Sequence, residues 1–534
     1  MTDDLLLNAS IFDYKVYLNM AEKCLQTNPK QAYLCLENAL FLCNDALRMA
    51  ISEMLSELIE AGVYVRPSSI VILSYNSLEF TKLCIESIRK TVPISAREII
   101  VIDNASEDGS VEYLQSQNDI ITIFNESNVG FPAGCNQGIS AATPGNDIFL
   151  LNNDTLLLPN SLFWLRMGLY ADENVGAVGS LTNYAGNNQT IGEPHRISLS
   201  DSDEIERVYQ LGLNTNSSFE PQYENKIYLV GYAMLIKYGV LKKVGVLDEI
   251  FSPGNFEDVD YCLRIMQAGY RNVLCHNSFI IHFGSVSFNK NIELYSKLLK
   301  ENMDKINSKY GFNVQEYRFP KEELIGLIGE NTNAYFKVLC LECGLGATPA
   351  AIKFKYPCAQ VYGSESSYEK TLISKAQMSV ENISTEQIGD VWSENYFDYV
   401  LVDCVLGTVN DFDMTLKQIV KVLKCSGKLI FFNTNPLHYK KIVQMAEDSA
   451  KNNSEKNIPT DLKKTIAGMG EMTGKNIEDL LLSKGFVIDN CFHSRNGEPD
   501  EKEKEIIKRF SYAFNSIKEE QYLPYNYYYI IRKK

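Results

Sequence analysis

Between Ser68 and Asp154 the chain repeats one device, a β-rich apolar run that stops abruptly at polar side chains. SSIVILSYN (68–76) ends at Asn76, REIIVIDNAS (97–106) turns polar at Asp103, and FLLNNDT (149–155) runs into two amides and Asp154. A helical pattern covers 80–91, and ITIFNESNVGFPAGCNQGI (121–139) holds a further strand, a Gly-rich turn and a helix start. Strand–helix–strand alternation of this kind builds a parallel α/β sheet. Open α/β sheets bind their ligands outside the carboxyl ends of the strands. Asn76, Asp103 and Asp154 are therefore expected on one rim. Taken alone, Asp154 also reads as the cap of a following helix, since Thr155 and Pro159 come next.

At 534 residues the chain exceeds a single core, so further units are expected. Residues 1–66 keep helical spacing throughout, broken at Asn28-Pro29 as a helix–turn–helix requires. They resemble loosely a tetratricopeptide-type hairpin of about one repeat. Such repeats need neighbours to bury their faces, so this region is expected to pack on the next domain or to self-associate with another copy. Residues 314–335 read as a charged linker helix. Beyond it, 336–367 gives a strand, a Gly turn, a helix and a strand ending at Glu365, the pattern in which glycines admit a close approach and an acid holds a ribose.

The formal charge of −16 and pI near 5.0 argue against nucleic acid or an anionic membrane as a partner. They leave room for a phosphate-bearing small ligand, which a metal or helix N-terminus can receive locally. Asp3 and Asp4 stand where a secretory signal would be basic, and no run approaches the roughly 18 apolar residues of a transmembrane helix. Thirteen cysteines without a framework read as reduced thiols, so a cytoplasmic location is expected. Cys340 and Cys343 form a CxxC with no second pair to complete a zinc site.

The segments SYN (74–76), IDNASEDGS (102–110), NVGFPAGCNQG (128–138) and NND (152–154) resemble, in order, the hallmarks of inverting family-2 glycosyltransferases of the GT-A fold, rhamnosyltransferases among them. GNFEDVDYCLRIMQAGY (254–270) resembles their ED segment, HFGSVSF (282–288) their closing histidine motif, and KINSKYGF (305–312) the domain's end, so the resemblance covers 67–313. It implies transfer of a sugar from a UDP- or dTDP-type donor to a glycan or glycoprotein acceptor. The donor would meet Ser74, Tyr75, Asn76, Asp103, Asn104, Asn128, Gly130, Asn136, Asn152, Asn153 and Asp154, with Glu107 on the same rim. A diphosphate leaving group needs its charge neutralised, and a carboxylate with an imidazole suits Mn²⁺ or Mg²⁺. The resemblance makes Asp154 and His282 the metal ligands, although Asn152 stands where the family usually has an acid. Inversion requires a base at the acceptor hydroxyl. The ED pair implies Asp258 as that base, with Glu257 orienting the acceptor or its loop. By charge pattern alone, Asp258, Asp260 and Arg264 are also compatible with an ordinary helix surface. Segments 178–192 and 228–236 are expected on the acceptor side, and 200–225 is long and polar enough for a lid.

From residue 336 to 534 the chain resembles class I S-adenosylmethionine-dependent methyltransferases, through LECGLG (341–346), YGSES (362–366) and LKCSGKLIFF (423–432). That implies S-adenosylmethionine held by Glu342, Gly344, Gly346, Glu365 and Asp403. Thr348 replaces the usual third glycine, and the loop VLGTVND (405–411) offers no evident base. The chain thus reads as an α/β protein with N-terminal helical hairpins (1–66), a GT-A domain (67–313), a linker (314–335) and a Rossmann-like methyltransferase domain (336–534). Similar fusions suggest bacterial polysaccharide biosynthesis or flagellin glycosylation, with methylation of the transferred sugar. Two rival readings remain at this level: a transferase whose last domain only docks a partner, and a scaffold built on the N-terminal helices.

Overall fold

The computed structural model describes residues 13–218, 222–284, 292–405, 409, 411–435, 438–444, 474–495, 497–513 and 523–533. These fall into two compact units, Met1–Phe319 and Pro320–Lys534.

The first unit opens with helices Tyr14–Cys24, Pro29–Leu42 and Asp45–Glu60. Asp13 and Asn28 cap the first two, each accepting from a backbone N–H of the first turn. They are not a free-standing module. Tyr17 donates to Asn160 Oδ1 at 2.7 Å, Gln31 Nε2 to the Met167 carbonyl at 2.8 Å, and Asn28 Nδ2 to the Tyr170 carbonyl at 2.7 Å. Glu37 and Arg166, each 4% exposed at the side chain, form a buried ion pair. Removing either partner would strand the other charge, so the helices and the helix Ser161–Leu169 are locked together. Of the two arrangements expected for this region, packing on the next domain is the one the structure shows.

The sheet of this unit comprises β1 (Ser68–Ser74), β2 (Arg97–Asp103), β3 (Ile121–Phe124), β4 (Asp147–Asn152), β5 (Thr155–Leu157), β6 (Val175–Leu181), β7 (Tyr223–Lys226), β8 (Ala233–Ile236) and β9 (Arg271–His282). Their order is β3-β2-β1-β4-β8-β6-β9-β5, with β7 also on β9. Strands β3, β2, β1 and β4 run parallel. Ser74 pairs with Asp103, and Leu73 with Asn152, so the strand ends come level on one rim as expected. β8 is antiparallel to both β4 and β6.

Glycine sets how closely the helix Phe131–Ala141 approaches this sheet. A Cβ at Gly138 would collide with Val71 Cγ1 and lie 2.6 Å from Ile102 Cδ1, and one at Gly134 would collide with Leu73. The glycines of NVGFPAGCNQG thus bring the helix down onto β1 and β2. Residues 200–225 are not a lid. They form the helix Ser202–Asn216, which buries Ile205, Val208, Tyr209 and Leu213, and they lead into β7; residues 219–221 lie outside the described residues. The apolar spacing within that polar stretch was the overlooked signal.

The linker helix expected over 314–335 is two short turns instead, Val314–Tyr317 and Glu322–Gly326. The division between the units falls inside that segment, just ahead of Pro320. Proline lacks an N–H and disfavours helical geometry at the residue before it, which explains the break.

The second unit holds β10 (Lys337–Leu341), β11 (Gln360–Ser364), β12 (Ser379–Glu381), β13 (Phe397–Val405), β14 (Leu423–Thr434), β15 (Phe486–Arg495) and β16 (Pro524–Lys533). The order is β12-β11-β10-β13-β14-β16-β15, with β16 inserted antiparallel between β14 and β15. The other neighbours run parallel. Leu339, Leu341, Val400, Val402, Phe431 and Tyr529 fill its core. Cys340 and Cys343 are buried there, and the cysteines of the chain are free thiols. The fold is thus mixed α/β, with N-terminal helices, a GT-A-like unit and a methyltransferase-like unit. Among the described residues, no helix is long and apolar enough to cross a membrane.

Candidate functional site

The first unit contains a cavity of about 970 Å³ whose wall includes Asn152, Tyr232, Glu257, Asp258, His282 and Arg318. Both segments expected beside the acceptor reach it, one through Tyr184 and the other through Tyr228 and Gly231.

Asp154 follows β4 and is 5% exposed. His282 ends β9, and its Nε2 lies 3.3 Å from Asp154 Oδ1. The pairing of Thr155 with His282 across β5 and β9 brings Asp154 and His282 together from distant parts of the chain. His282 Nδ1 donates to the Tyr184 carbonyl at 2.8 Å, so Nε2 donates to the Asp154 carboxylate when the ring is protonated and offers a lone pair when it is neutral. The ring stacks on Tyr232, with centroids 4.9 Å apart. Asn183 clamps the His282 backbone from both sides, at 2.9 Å each. Burial pulls the imidazole pKa down, but the Asp154 carboxylate outweighs it and leaves it raised.

This chemistry fits a divalent cation, with one carboxylate and one imidazole whose far nitrogen is pinned. Among the described residues, no group of three or more His, Cys, Asp or Glu side chains could hold a metal. The protein would therefore contribute two ligands, and oxygen donors from the bound substrate or water would supply the others. Asn152 lines the cavity, and its backbone N–H donates to the Tyr232 carbonyl at 2.8 Å. Asn153 donates to Thr81 Oγ1 at 3.0 Å. The Ser285–Phe288 part of the closing histidine motif lies outside the described residues.

Glu257 and Asp258 begin the helix Glu257–Gln267, after Asn255 and Phe256 in the left-handed region. Asn302 holds that turn, donating to the carbonyls of Phe251 and Gly254 at 2.8 and 2.9 Å. Asp258 Oδ2 accepts from Gly231 N at 3.0 Å and Oδ1 from Val259 N at 2.8 Å. Glu257 Oε2 is buried without a hydrogen-bond partner among the described residues. Burial pushes both carboxyls up, and for Glu257 the adjacent Asp258 charge adds to it. A carboxylate with a raised pKa on a cavity wall is suited to receive a proton. Asp260, on the same helix, is wholly buried among Arg264 Nε (2.8 Å), Lys309 Nζ (2.6 Å) and the Tyr310 hydroxyl (3.0 Å). This cluster is no surface charge pattern. It anchors the helix Ile292–Tyr310, which carries Tyr295, Leu299 and Met303 onto the cavity wall.

The remaining candidates lie along the rim of β1 and β2. Asp103 is 1% exposed, with Oδ1 accepting from Ser106 N at 2.8 Å and Oδ2 lacking a partner among the described residues. Asn76, at φ 47°, accepts from Glu107 N at 2.7 Å, and Tyr75 beside it is exposed. Ser74 is buried, its hydroxyl 3.0 Å from Thr81 Oγ1. Asn104 donates to Asn128 Oδ1 at 3.0 Å and to the Gly130 carbonyl at 3.4 Å. Gly130 has φ 87°, and a Cβ there would come within 2.8 Å of Ser252 Oγ. These residues hold the turn. Asn136 sits apart from the rim group, its amide bonded to the Leu247 carbonyl and Glu249 Oε1, both at 2.9 Å. The cavity wall itself does not include Asp103 or Asn76 among its lining residues.

In the second unit Glu342 (φ 49°), Gly344 (φ 57°) and Gly346 (φ 92°) turn tightly after β10. Glu365, at the end of β11, accepts from Gly344 N and Ser367 N, both at 2.9 Å, with Lys370 Nζ at 3.5 Å. Glu342 accepts from Ser366 Oγ at 2.8 Å, and burial together with the Glu365 charge raises its pKa. Thr348, standing for a glycine, has a structural use. Its hydroxyl accepts from Lys321 N at 3.0 Å and hydrogen-bonds Asp403, whose pKa burial lifts to about 7. The glycine turn and its facing acid fit a nucleoside cofactor, with Glu365 already oriented by two backbone donors. His438 is 1% exposed with Nε2 unpaired among the described residues, and burial lowers its pKa to about 4. Residues 406–408 and 410 of the VLGTVND loop, and residues 445–473, lie outside the described residues.

Comparison with known proteins agrees with this division. Residues 69–245 match glycosyl transferase family 2, and residues 339–431 match the methyltransferase domain family. No curated protein matches the chain. Among solved structures, GalNAc-T7 with UDP, GalNAc and Mn²⁺ is 15% identical (TM-score 0.33), the alignment covering 41% of this chain and 44% of that one. The mannosyltransferase PcManGT of Pyrobaculum calidifontis, in complex with GDP-Man and Mn²⁺, is 15% identical (TM-score 0.33), covering 51% of this chain and 75% of that one. A SAM-dependent methyltransferase from Archaeoglobus fulgidus is 14% identical (TM-score 0.29), covering 43% of this chain and 99% of that one. The chain spans less than half the length of the GalNAc-T7 chain. The two family matches identify the chain as a transferase that joins a family-2 glycosyltransferase domain to a methyltransferase domain.

Proposed function

We propose that residues 67–313 transfer a sugar, with inversion, from a UDP- or dTDP-sugar to a hydroxyl of a glycan or glycoprotein, and that residues 336–534 methylate a sugar with S-adenosylmethionine. The observation that carries the first half is that Asp258 and His282, the latter 3.3 Å from Asp154, line one cavity. In this reading Asp258 takes the proton of the acceptor hydroxyl as that oxygen attacks the anomeric carbon from the face opposite the diphosphate. The Gly231 and Val259 N–H groups hold its carboxylate in place, and Glu257 shapes the same wall. Asp103 receives the donor's ribose or base through its open Oδ2. Asp154 and His282 would hold Mn²⁺ or Mg²⁺, which neutralises charge on the departing diphosphate. Glu365 would accept from the cofactor's ribose.

Two measurements test this. Incubation with UDP- and dTDP-sugars and Mn²⁺ should release nucleoside diphosphate, and absence of release from any donor would end the glycosyl-transfer reading. Calorimetric titration with S-adenosylmethionine should show binding that Glu365→Ala weakens. No binding at all would instead favour a second unit that only docks a partner.

A further inference from the structure

Arg318 is placed on the cavity wall in a way the transferase chemistry so far leaves unused. It follows the turn Val314–Tyr317, beyond the residues matched to the family. Aromatic rings surround its guanidinium, with Cζ 4.8 Å from the Tyr228 centroid, 5.2 Å from Phe319 and 6.0 Å from Phe256. Such contacts hold a guanidinium by its π-face and leave its in-plane N–H groups for other partners. Among the described residues those groups meet neither a hydrogen-bond acceptor nor a carboxylate, and Nε is buried without a partner. Asp258 is bonded to Gly231 N and Val259 N; burial raises its pKa, and Arg318 acts on it only through space, as a positive charge that lowers it.

A second donor accompanies it. Gln315 lies three residues earlier, and the spacing of a 3₁₀ turn brings residues three apart into line. Its Nε2 is also buried without a partner, and Gln315, Arg318 and Lys300 all line the cavity. Donors left unpaired at a site entrance mark what the bound partner must bring, because a buried polar group without a partner is costly.

We propose that Arg318, seconded by Gln315 and Lys300, recognises a carboxylate on the acceptor, so that the acceptor is an acidic sugar. The proposal rests on the transferase reading for the identity of the cavity. A planar carboxylate matches the guanidinium fork in two parallel hydrogen bonds. The cavity otherwise presents Glu257 and Asp258, which would repel such an acceptor unless a fixed cation countered them. Arg196 supplies a separate cation near His282 and acts on it through its charge. Its Nη2 donates to the Tyr184 hydroxyl at 3.0 Å, and its stem would lie 3.1 Å from a Cβ at Gly284.

The test is calorimetry on the full chain with p-nitrophenyl β-D-glucuronide and p-nitrophenyl β-D-glucoside, with UDP titrated separately. The glucuronide should bind at least about tenfold more tightly than the glucoside, a difference that shrinks at high salt. Arg318→Gln should bring the two affinities together, Arg318→Lys should keep part of the difference, and UDP should bind both variants as it binds the wild type. Equal affinity for the two glycosides, binding of neither, or discrimination that survives Arg318→Gln overturns the proposal. So does a loss confined to UDP, which would assign Arg318 to the leaving group. Binding requires no turnover, so failure of donor cleavage would count against the transferase reading without disturbing this comparison.

Discussion

At the rim of the first sheet, acidic side chains are left with unanswered oxygens; at the rim of the second, they are mostly answered from within. Asp103 Oδ2 and Glu257 Oε2 have no hydrogen-bond partner among the described residues. Glu365, by contrast, accepts from Gly344 N and Ser367 N and lies beside Lys370. The second rim does leave one carboxylate oxygen unmatched, on Asp403, but burial lifts that group's pKa to about 7, so near neutrality it is half protonated. Burial and the Asp258 charge likewise lift Glu257 to about 8, so the contrast rests on Asp103, whose open Oδ2 is placed to be completed by a ligand. The second rim is preformed, its acid already turned by backbone donors toward whatever meets the glycine turn. One α/β logic thus yields a site that awaits its substrate and another already organised in its absence.

The sharpest way to break this comparison is Asp258→Asn. It should lower acceptor-dependent transfer by about 10²- to 10⁴-fold, with donor binding intact, as measured by single-turnover transfer alongside nucleotide titration. The wild-type pH profile sharpens the same point. The base acts unprotonated and burial raises its pKa, so activity should fall on the acid side at a pH above the ordinary carboxylate range. A limb near pH 4 would mean that Asp258 is not the group being titrated.

In the second unit Glu365→Ala should weaken S-adenosylmethionine by about ten- to a hundredfold, since it removes the acid and frees two backbone donors. Circular dichroism should remain unchanged. Smaller in effect, and confined to stability, is Gly138→Ala. The added methyl meets Val71 and Ile102, and overpacking of this kind costs about 1–3 kcal/mol, readable as a lower denaturation midpoint. Set apart by its pH dependence is Asp403→Asn. Its folded pKa of about 7 lies above the unfolded value near 3.9, so the folded state holds a proton that the unfolded state releases. Wild-type stability therefore falls as pH rises through that window, and the asparagine variant should gain on wild type between about pH 4 and pH 7 in thermal melts.

Much of this was legible because it is local. The strand ends at Asn76, Asp103 and Asp154 follow from apolar runs of strand length, and the register confirms their common edge. NVGFPAGCNQG was legible as a Gly-rich turn and a helix start, but that Gly134 and Gly138 set the helix down on Val71, Leu73 and Ile102 emerged only in the folded chain. The polar composition of 200–225 misled, because it conceals an amphipathic helix. Arg318 carried no signal in the sequence. Its significance comes from Tyr228, Phe256 and Phe319, which reach it from three parts of the chain.

The sequence by itself determined the α/β alternation, the order of the two units, and the residue types at each strand end, because period, turn chemistry and short motifs are read between near neighbours. Only the tertiary structure decided that His282 stands 3.3 Å from Asp154 with its far nitrogen pinned by Tyr184, and that Asp260 is an anchor while Asp258 lines the cavity. It also decided that the N-terminal helices belong to the first unit's core through Glu37 and Arg166. These facts depend on strand pairing and burial between distant segments. Desolvation and hydrogen-bond direction exist only once the chain has closed around them.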